Sequence, residues 1–327
     1  MNYDVVALGE YLIDFTPCGR SEAGQPLFER NPGGAPVNVA AALAKLGKKT
    51  GFIGKVGNDP FGEYLREALL AVGVSDQGVV VTDEAHTTMA FVQLDADGDR
   101  SFHFARNPGA DQLLRADDVN LSMLSETRIF HFGSISMTTE PAYTATLKAV
   151  QVAKELGALI TYDPNWRPSL WRNEEHALEV IHVGLRLADV VKVSEEELFF
   201  LTDEPNLEKA ARHLVEQYGL TLLLVTAGGA GSFYQMKDWW GQVESFHVQT
   251  VDTTGAGDAF FGALLYEILG RAKPLQAWQE EDLQEVLHFA NAAGALATTR
   301  KGAIPSLGTL EEIHALVRDG NDRFFVV

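Results

Sequence analysis

Short apolar runs alternate along this chain with longer stretches of helical period. Tyr3 to Leu8, Thr50 to Lys55, Ile129 to Phe132, Leu159 to Asp163, Val190 to Val193 and Leu222 to Thr226 read as buried strands. Between them, Pro36 to Leu46, Phe61 to Val72, Tyr143 to Leu156, Glu175 to Leu187 and Leu207 to Tyr218 carry helical spacing. The first two of these close on Gly47 and Gly73, residues suited to ending a helix. Three more helical stretches follow, Asp258 to Leu269, Asp282 to Thr299 and Leu310 to Val317. Strands and helices in this alternation predict right-handed βαβ units on a mainly parallel sheet, an α/β fold.

Two segments break the rhythm. Within Ala85 to Arg106, the runs MAFVQL and SFHFAR flank the polar turn DADGDR and alternate apolar with polar residues, a hairpin pattern. Asp14 to Arg30 is irregular and carries Pro and Gly. The two are expected to form a small β subdomain, at about 11–35 and 86–106, on a single domain spanning 1–327.

Composition narrows the function. The chain has 327 residues, 26 Lys plus Arg against 45 Asp plus Glu, and a formal net charge of −19. Binding to nucleic acid or to anionic lipid needs a basic surplus, so neither is an expected partner. One cysteine, Cys18, permits no intrachain disulfide and no Cys-rich zinc site, which points to a reducing compartment, the cytoplasm. The N-terminus lacks a signal-peptide pattern, and the longest apolar stretch, from Leu220 to Val225, is too short to cross a bilayer.

Several motifs fail on inspection. Asp95 to Asp99 resembles a calcium loop superficially, but strands flank it and Arg106 stands where an EF-hand needs Glu. Gly47-Lys48 and Gly54-Lys55 lack the hydroxyl residue of a Walker A loop, and no G-x-G-x-x-G follows the first strand. The segment Asp252-Thr-Thr-Gly-Ala-Gly-Asp-Ala-Phe-Phe-Gly-Ala263 is different. Gly255, Ala256 and Gly257 precede a helical run, so backbone amides and the helix dipole favour an anion there. Asp258 reads either as a helix cap or as a base beside a phosphate cradle; proximity to glycine alone favours the cap.

With Gly33-Gly34-Ala-Pro-Val-Asn38-Val-Ala40 upstream, this segment resembles the paired signatures of the ribokinase-like (PfkB) sugar and nucleoside kinases. The resemblance runs from about Asp4 to about Val317 and leaves out the FFVV end. It implies a three-layer α/β/α fold with a small β lid. It implies Asp258 as the base, with the amides of Gly255, Ala256, Gly257 and Asp258 around the transferring phosphoryl group. Asp14, Gly33, Gly34 and Asn38 match sugar-binding positions. Lys192, Glu197, Thr226, Gly228, Gly231, Gly257 and Asn291 match the ATP side, with Glu197 tied indirectly to magnesium. Asp252 and Thr254, with Ala297, Arg300, Gly302 and Ser306, match a site for a monovalent cation, potassium.

The segment Tyr162-Asp-Pro-Asn-Trp-Arg167-Pro-Ser-Leu-Trp171 resembles the fructokinase branch of the family. By that resemblance Arg167 and Asn165 lie near the sugar, while Phe104 and Arg106 sit over it from the lid. Fructose ranks first as substrate. A ketodeoxygluconate kinase comes second, since Arg106 and Arg167 also suit a carboxylate. An aminoimidazole riboside kinase comes third. A sugar- or nucleotide-binding regulator on the same scaffold is the non-enzyme alternative. The apolar lid strands have edges that need protection, so a homodimer through the lid is expected.

Overall fold

Strands form where apolar runs are covered on both faces, and the computed structural model shows how that cover is built over residues 3–94, 100–125 and 127–322. After β1 (Val5–Leu8), the antiparallel pair β2 (Leu12–Arg20) and β3 (Pro26–Gly33) leads into α1 (Ala35–Lys45). Next come β4 (Thr50–Gly57), α2 (Pro60–Ala71) and β5 (Val74–Thr82), then the hairpin β6 (Met89–Leu94) and β7 (Arg100–Ala105). The central part holds β8 (Ile129–Gly133), α3 (Ala142–Glu155), β9 (Leu159–Asp163), α4 (Glu174–Leu187) and β10 (Val190–Ser194). It continues through α5 (Glu195–Thr202), α6 (Leu207–Tyr218) and β11 (Leu222–Thr226) to the hairpin β12 (Ser232–Met236) and β13 (Trp239–Val243). Three helices close the chain, α7 (Ala256–Gly270), α8 (Glu280–Ala297) and α9 (Leu310–Asp322). The expected turn at Asp95 to Asp99 and the FFVV end lie outside the described residues.

The main sheet has nine strands in the order β13-β12-β11-β10-β9-β8-β1-β4-β5, parallel except for β12 and β13. Alternation along each strand sends successive side chains to opposite faces. Val6, Leu8, Phe130, Phe132, Ile160 and Val191 pack on Ala149, Ile181 and Leu214 of α3, α4 and α6. Val5, Ile129, Val190 and Leu224 pack on Leu43, Phe261 and Leu287 of α1, α7 and α8. The result is three layers.

From β1 the chain builds first to one side, β4 and β5, and later to the other, β8 and beyond. The crevice at the carboxyl ends of β1 and β8 is therefore a topological switch point, where open α/β sheets bind ligands. Beside it stands a second sheet of four strands, β3-β2-β6-β7. The segment read as irregular thus forms two strands; Pro17 and Gly19 mark a register shift within the pair rather than a break. Among the described residues, no helix is long and apolar enough to cross a membrane.

Candidate active site

Two cavities meet at the first turn of α7. The one at the switch point measures about 340 Å3 and is lined by Glu10, Asp14, Asn38, Asp163, Arg167 and Asp258, among others. The other, toward α8, measures about 390 Å3 and is lined by Thr226, Gly228, Gly231, His247, Ala256 and Asn291, among others. Thr253 and Gly257 line both, so the start of α7 is their common wall.

The sequence makes this wall thin. Gly255 is the N-cap with φ 77°, a left-handed conformation that suits glycine, and a Cβ there would lie 2.9 Å from the Ala303 Cα. A Cβ on Gly257 would lie 3.2 Å from the Lys192 Nζ. The first-turn amides have no intrahelical acceptor and carry the positive end of the helix dipole. One of them, on Ala256, turns back to the Thr253 carbonyl at 3.3 Å. The Asp258 side chain does not cap the helix. Its Oδ2 instead accepts from the Asn38 Nδ2 at 2.8 Å, so the cap reading gives way to a carboxylate held at a cavity wall.

Charge is crowded at the switch point. Glu10, Asp14, Asp163, Glu197 and Asp258 face only Arg167 and Lys192 along the same lining, two cations against five carboxylates. Burial, reinforced by Asp163, raises Asp258 to about 6, against the opposing effects of Asn38, Lys192 and Arg167. Burial raises Asp14 to about 7, with Arg167 opposing and Asp258 adding. Burial likewise brings Glu10 to about 7, opposed by its backbone hydrogen bonds and Arg106. Lys192 lies 2.9 Å from Asp163; burial works against its charge, yet Asp163 and Glu197 hold its pKa above the ordinary value.

The structure brings most of the sequence-predicted residues to these cavities. Asp14, Gly34, Asn38, Phe104, Asn165 and Arg167 line the switch-point cavity with Gly255 and Thr254. Gly33 does not; a Cβ there would meet the Asp14 carboxylate at 2.0 Å, so this glycine makes room for Asp14. Lys192 and Glu197, expected on the nucleotide side, line the switch-point cavity. Both Glu197 oxygens accept backbone amides, Trp166 at 2.6 Å and Ser194 at 2.7 Å, fixing the loop that carries Arg167. Arg106 was expected over the sugar, but its side chain turns to protein partners beside the cavity. Its side chain is 3 % exposed and bonds Asp111, Thr138 and the Ile135 carbonyl, absent from the lining. The Asn291 amide donates to the Val243 carbonyl at 2.8 Å, tying α8 to the end of β13.

Asp252 is 4 % exposed and accepts from the amides of Thr254 at 2.7 Å and Gly302 at 3.0 Å. The Arg300 guanidinium pairs with Glu312. Ser306 is buried and its hydroxyl donates to the Ala303 carbonyl. Oxygen donors of this kind fit a hard monovalent cation. Among the described residues no group of three or more His, Cys, Asp or Glu could hold a metal ion.

Sequence reasoning missed Glu10, Asp163, Ile135 and the segment from Ser245 to Val248, all of which line a cavity. Glu10 had a usable signal: a polar residue two positions past the first parallel strand, where ligands gather.

The sequence profile of the pfkB family carbohydrate kinases matches residues 2–310. Fructokinase-1 of Zea mays is 50 % identical over 315 residues, 96 % of this chain and 97 % of the relative. The structure resembles a fructokinase with bound ATP from Xylella fastidiosa, with TM-score 0.90 and 36 % identity over 98 % of this chain and 99 % of the other. It also resembles the fructokinase of Vibrio cholerae O395 in a form bound to fructose, ADP and calcium ion, with TM-score 0.86 and 33 % identity over 96 % and 99 % of the two chains.

Proposed function

The chain belongs to the pfkB family of carbohydrate kinases, and on that basis we propose that it is an ATP-dependent fructokinase, forming fructose 6-phosphate. One observation carries the reading: the first turn of α7 separates two cavities, and Asp258 faces only one of them. A nucleotide in the α8-side cavity and a sugar at the switch point would meet across Gly257. Relatives and structural neighbours named fructokinases favour fructose over the acidic and riboside alternatives.

The chemistry follows from the side chains. The ionised Asp258 takes the proton of the sugar's primary hydroxyl. The freed oxygen attacks the γ-phosphorus in line, the bond to the β,γ-bridging oxygen breaks, and ADP leaves. Gly255, Gly257 and Asp258 amides stabilise charge on the transferred group, with a smaller share from Ala256. Arg167 neutralises the phosphoryl oxygens. Asp14, Gly34, Asn38 and Asn165 hold the sugar, with Phe104 above it. Thr226, Gly228, Gly231 and Asn291 form the nucleotide wall.

ATP would enter as its magnesium complex; the ion would neutralise phosphate charge, with Glu197 acting on it through water. Asp252, Thr254 and Ser306, with the main chain at Ala297, Arg300 and Gly302, would hold potassium and steady the turn that supplies the amides. The four-stranded sheet acts as a lid that excludes water and limits ATP hydrolysis. Its edges and the exposed Leu27 and Phe28 support a homodimer through the lid. The exposed, unpaired Cys18 supports a cytoplasmic location.

The test is ADP release from Mg-ATP with fructose, ketodeoxygluconate, ribose and aminoimidazole riboside. Fructose should give the highest kcat/KM. Strong turnover of a rival with none for fructose overturns the assignment.

A further inference from the structure

Glu10 lies two residues past the end of β1 and takes no part in the reaction described above. It is 2 % exposed and lines the switch-point cavity. Its Oε1 accepts from the Ala35 amide at 2.8 Å, which caps α1 from outside the helix, since Gly34 offers no side chain. Its Oε2 is buried and has no hydrogen-bond partner. The nearby Arg106 guanidinium bonds Asp111, Thr138 and the Ile135 carbonyl instead. Asn38 shows the same asymmetry: its Nδ2 serves Asp258, and its Oδ1 is buried without a partner in the same cavity. Buried polar atoms left unpaired are costly, and two of them on residues that line one cavity point to a ligand that supplies their partners.

We propose that Glu10 is a specificity-determining sugar contact, anchored to α1 through Oε1 and presenting Oε2 to one hydroxyl of the substrate. The assignment rests on the fructose reading and deepens it, by naming a residue that selects among polyols. A sugar lacking the matching hydroxyl leaves the oxygen unsatisfied, which is how a polar site rejects an analogue that an apolar site would accept. The anchor and the contact share one side chain, so the start of α1 and the sugar are positioned together.

A protein–substrate double-mutant cycle tests this. Glu10→Gln keeps an oxygen for the Ala35 amide and replaces the other with a donor-only amide group, so the start of α1 is retained. The wild type and Glu10→Gln are assayed with fructose and with analogues that keep the primary acceptor: 1-deoxy-, 3-deoxy- and 4-deoxyfructose and 2,5-anhydromannitol. For one analogue, the wild type should lose about tenfold or more in kcat/KM. Glu10→Gln should lose a similar factor with fructose itself, and its penalty for that analogue should shrink to roughly twofold or less. Its affinity for ATP, measured separately, should be unchanged. The assignment is overturned if Glu10→Gln keeps wild-type kcat/KM for fructose. It is equally overturned if the variant loses activity while every analogue's penalty stays as in the wild type, the pattern of a purely structural residue. Wild-type turnover of fructose is the independent control: its absence fells the functional reading, whereas uncoupled penalties on an active wild type fell only the role of Glu10.

Discussion

Asn38 and Asp258 stand 220 positions apart in sequence and share one hydrogen bond of 2.8 Å. That bond favours the ionised carboxylate, while burial and Asp163 oppose it, leaving Asp258 near 6. The base is lost as pH falls through that value, so kcat/KM should show an acid limb near pH 6. Asn38→Ala removes a stabiliser of the charged form. The limb should therefore move upward, by about one unit for a hydrogen bond to a charged group. An unmoved limb in a pH–rate profile contradicts the coupling. Residues of this kind were legible because two distant motifs, GGAPVN and DTTGAGD, carried them. The direction of Arg106 was not, because its partners Thr138 and Ile135, about 30 positions on, are brought to it only by the tertiary fold. Sequence spacing gives no vector for a long side chain.

At the scale of elements, the start of α7 does the positioning. Glycine at 255 is demanded twice, by φ 77° and by the Ala303 backbone 2.9 Å from a would-be Cβ. Gly255→Ala should cost about 1–2 kcal/mol from the left-handed conformation alone, more with the contact, read by denaturant unfolding. Its kcat should fall by a larger factor than its KM rises if, as proposed, the displaced amides face the transferring group. Loss of stability with wild-type kcat would detach the turn from the chemistry. The parallel strands were readable because they are continuous apolar runs covered on both faces. β5 was missed, since its sequence VSDQGVVVT mixes polar residues into an edge position. So was the hairpin of β12 and β13, whose turn places Lys237 at φ 53° instead of the glycine or asparagine that marks such turns.

For the molecule as a whole, the charge of −19 disfavours an anionic substrate at long range, and the switch-point lining adds five carboxylates against two cations. On the proposed reading, nucleotide binding would depend on local features: the amides of α7, Arg167 and the magnesium that ATP brings. The same acidity suits a sugar, whose hydroxyls donate to carboxylates. The edge strand β3 of the four-stranded sheet carries two exposed apolar residues, Leu27 and Phe28. Light scattering at micromolar concentration should give twice the chain mass, and a Leu27→Glu, Phe28→Glu double variant should shift the protein toward monomer; a monomeric wild type contradicts the lid dimer. The mainly parallel sheet could be foreseen from the alternation of elements, whereas the strand order and the meeting of two cavities at one helical turn could not.

That meeting is the centre of the account, and Asp258→Asn tests it most directly. The asparagine keeps the shape of the side chain and removes the base. Turnover with ATP and fructose should fall by about 100-fold or more, the lower end of what general-base catalysis supplies, while ATP affinity stays at the wild-type value. Turnover near the wild-type rate would contradict the placement of the chemistry at the first turn of α7.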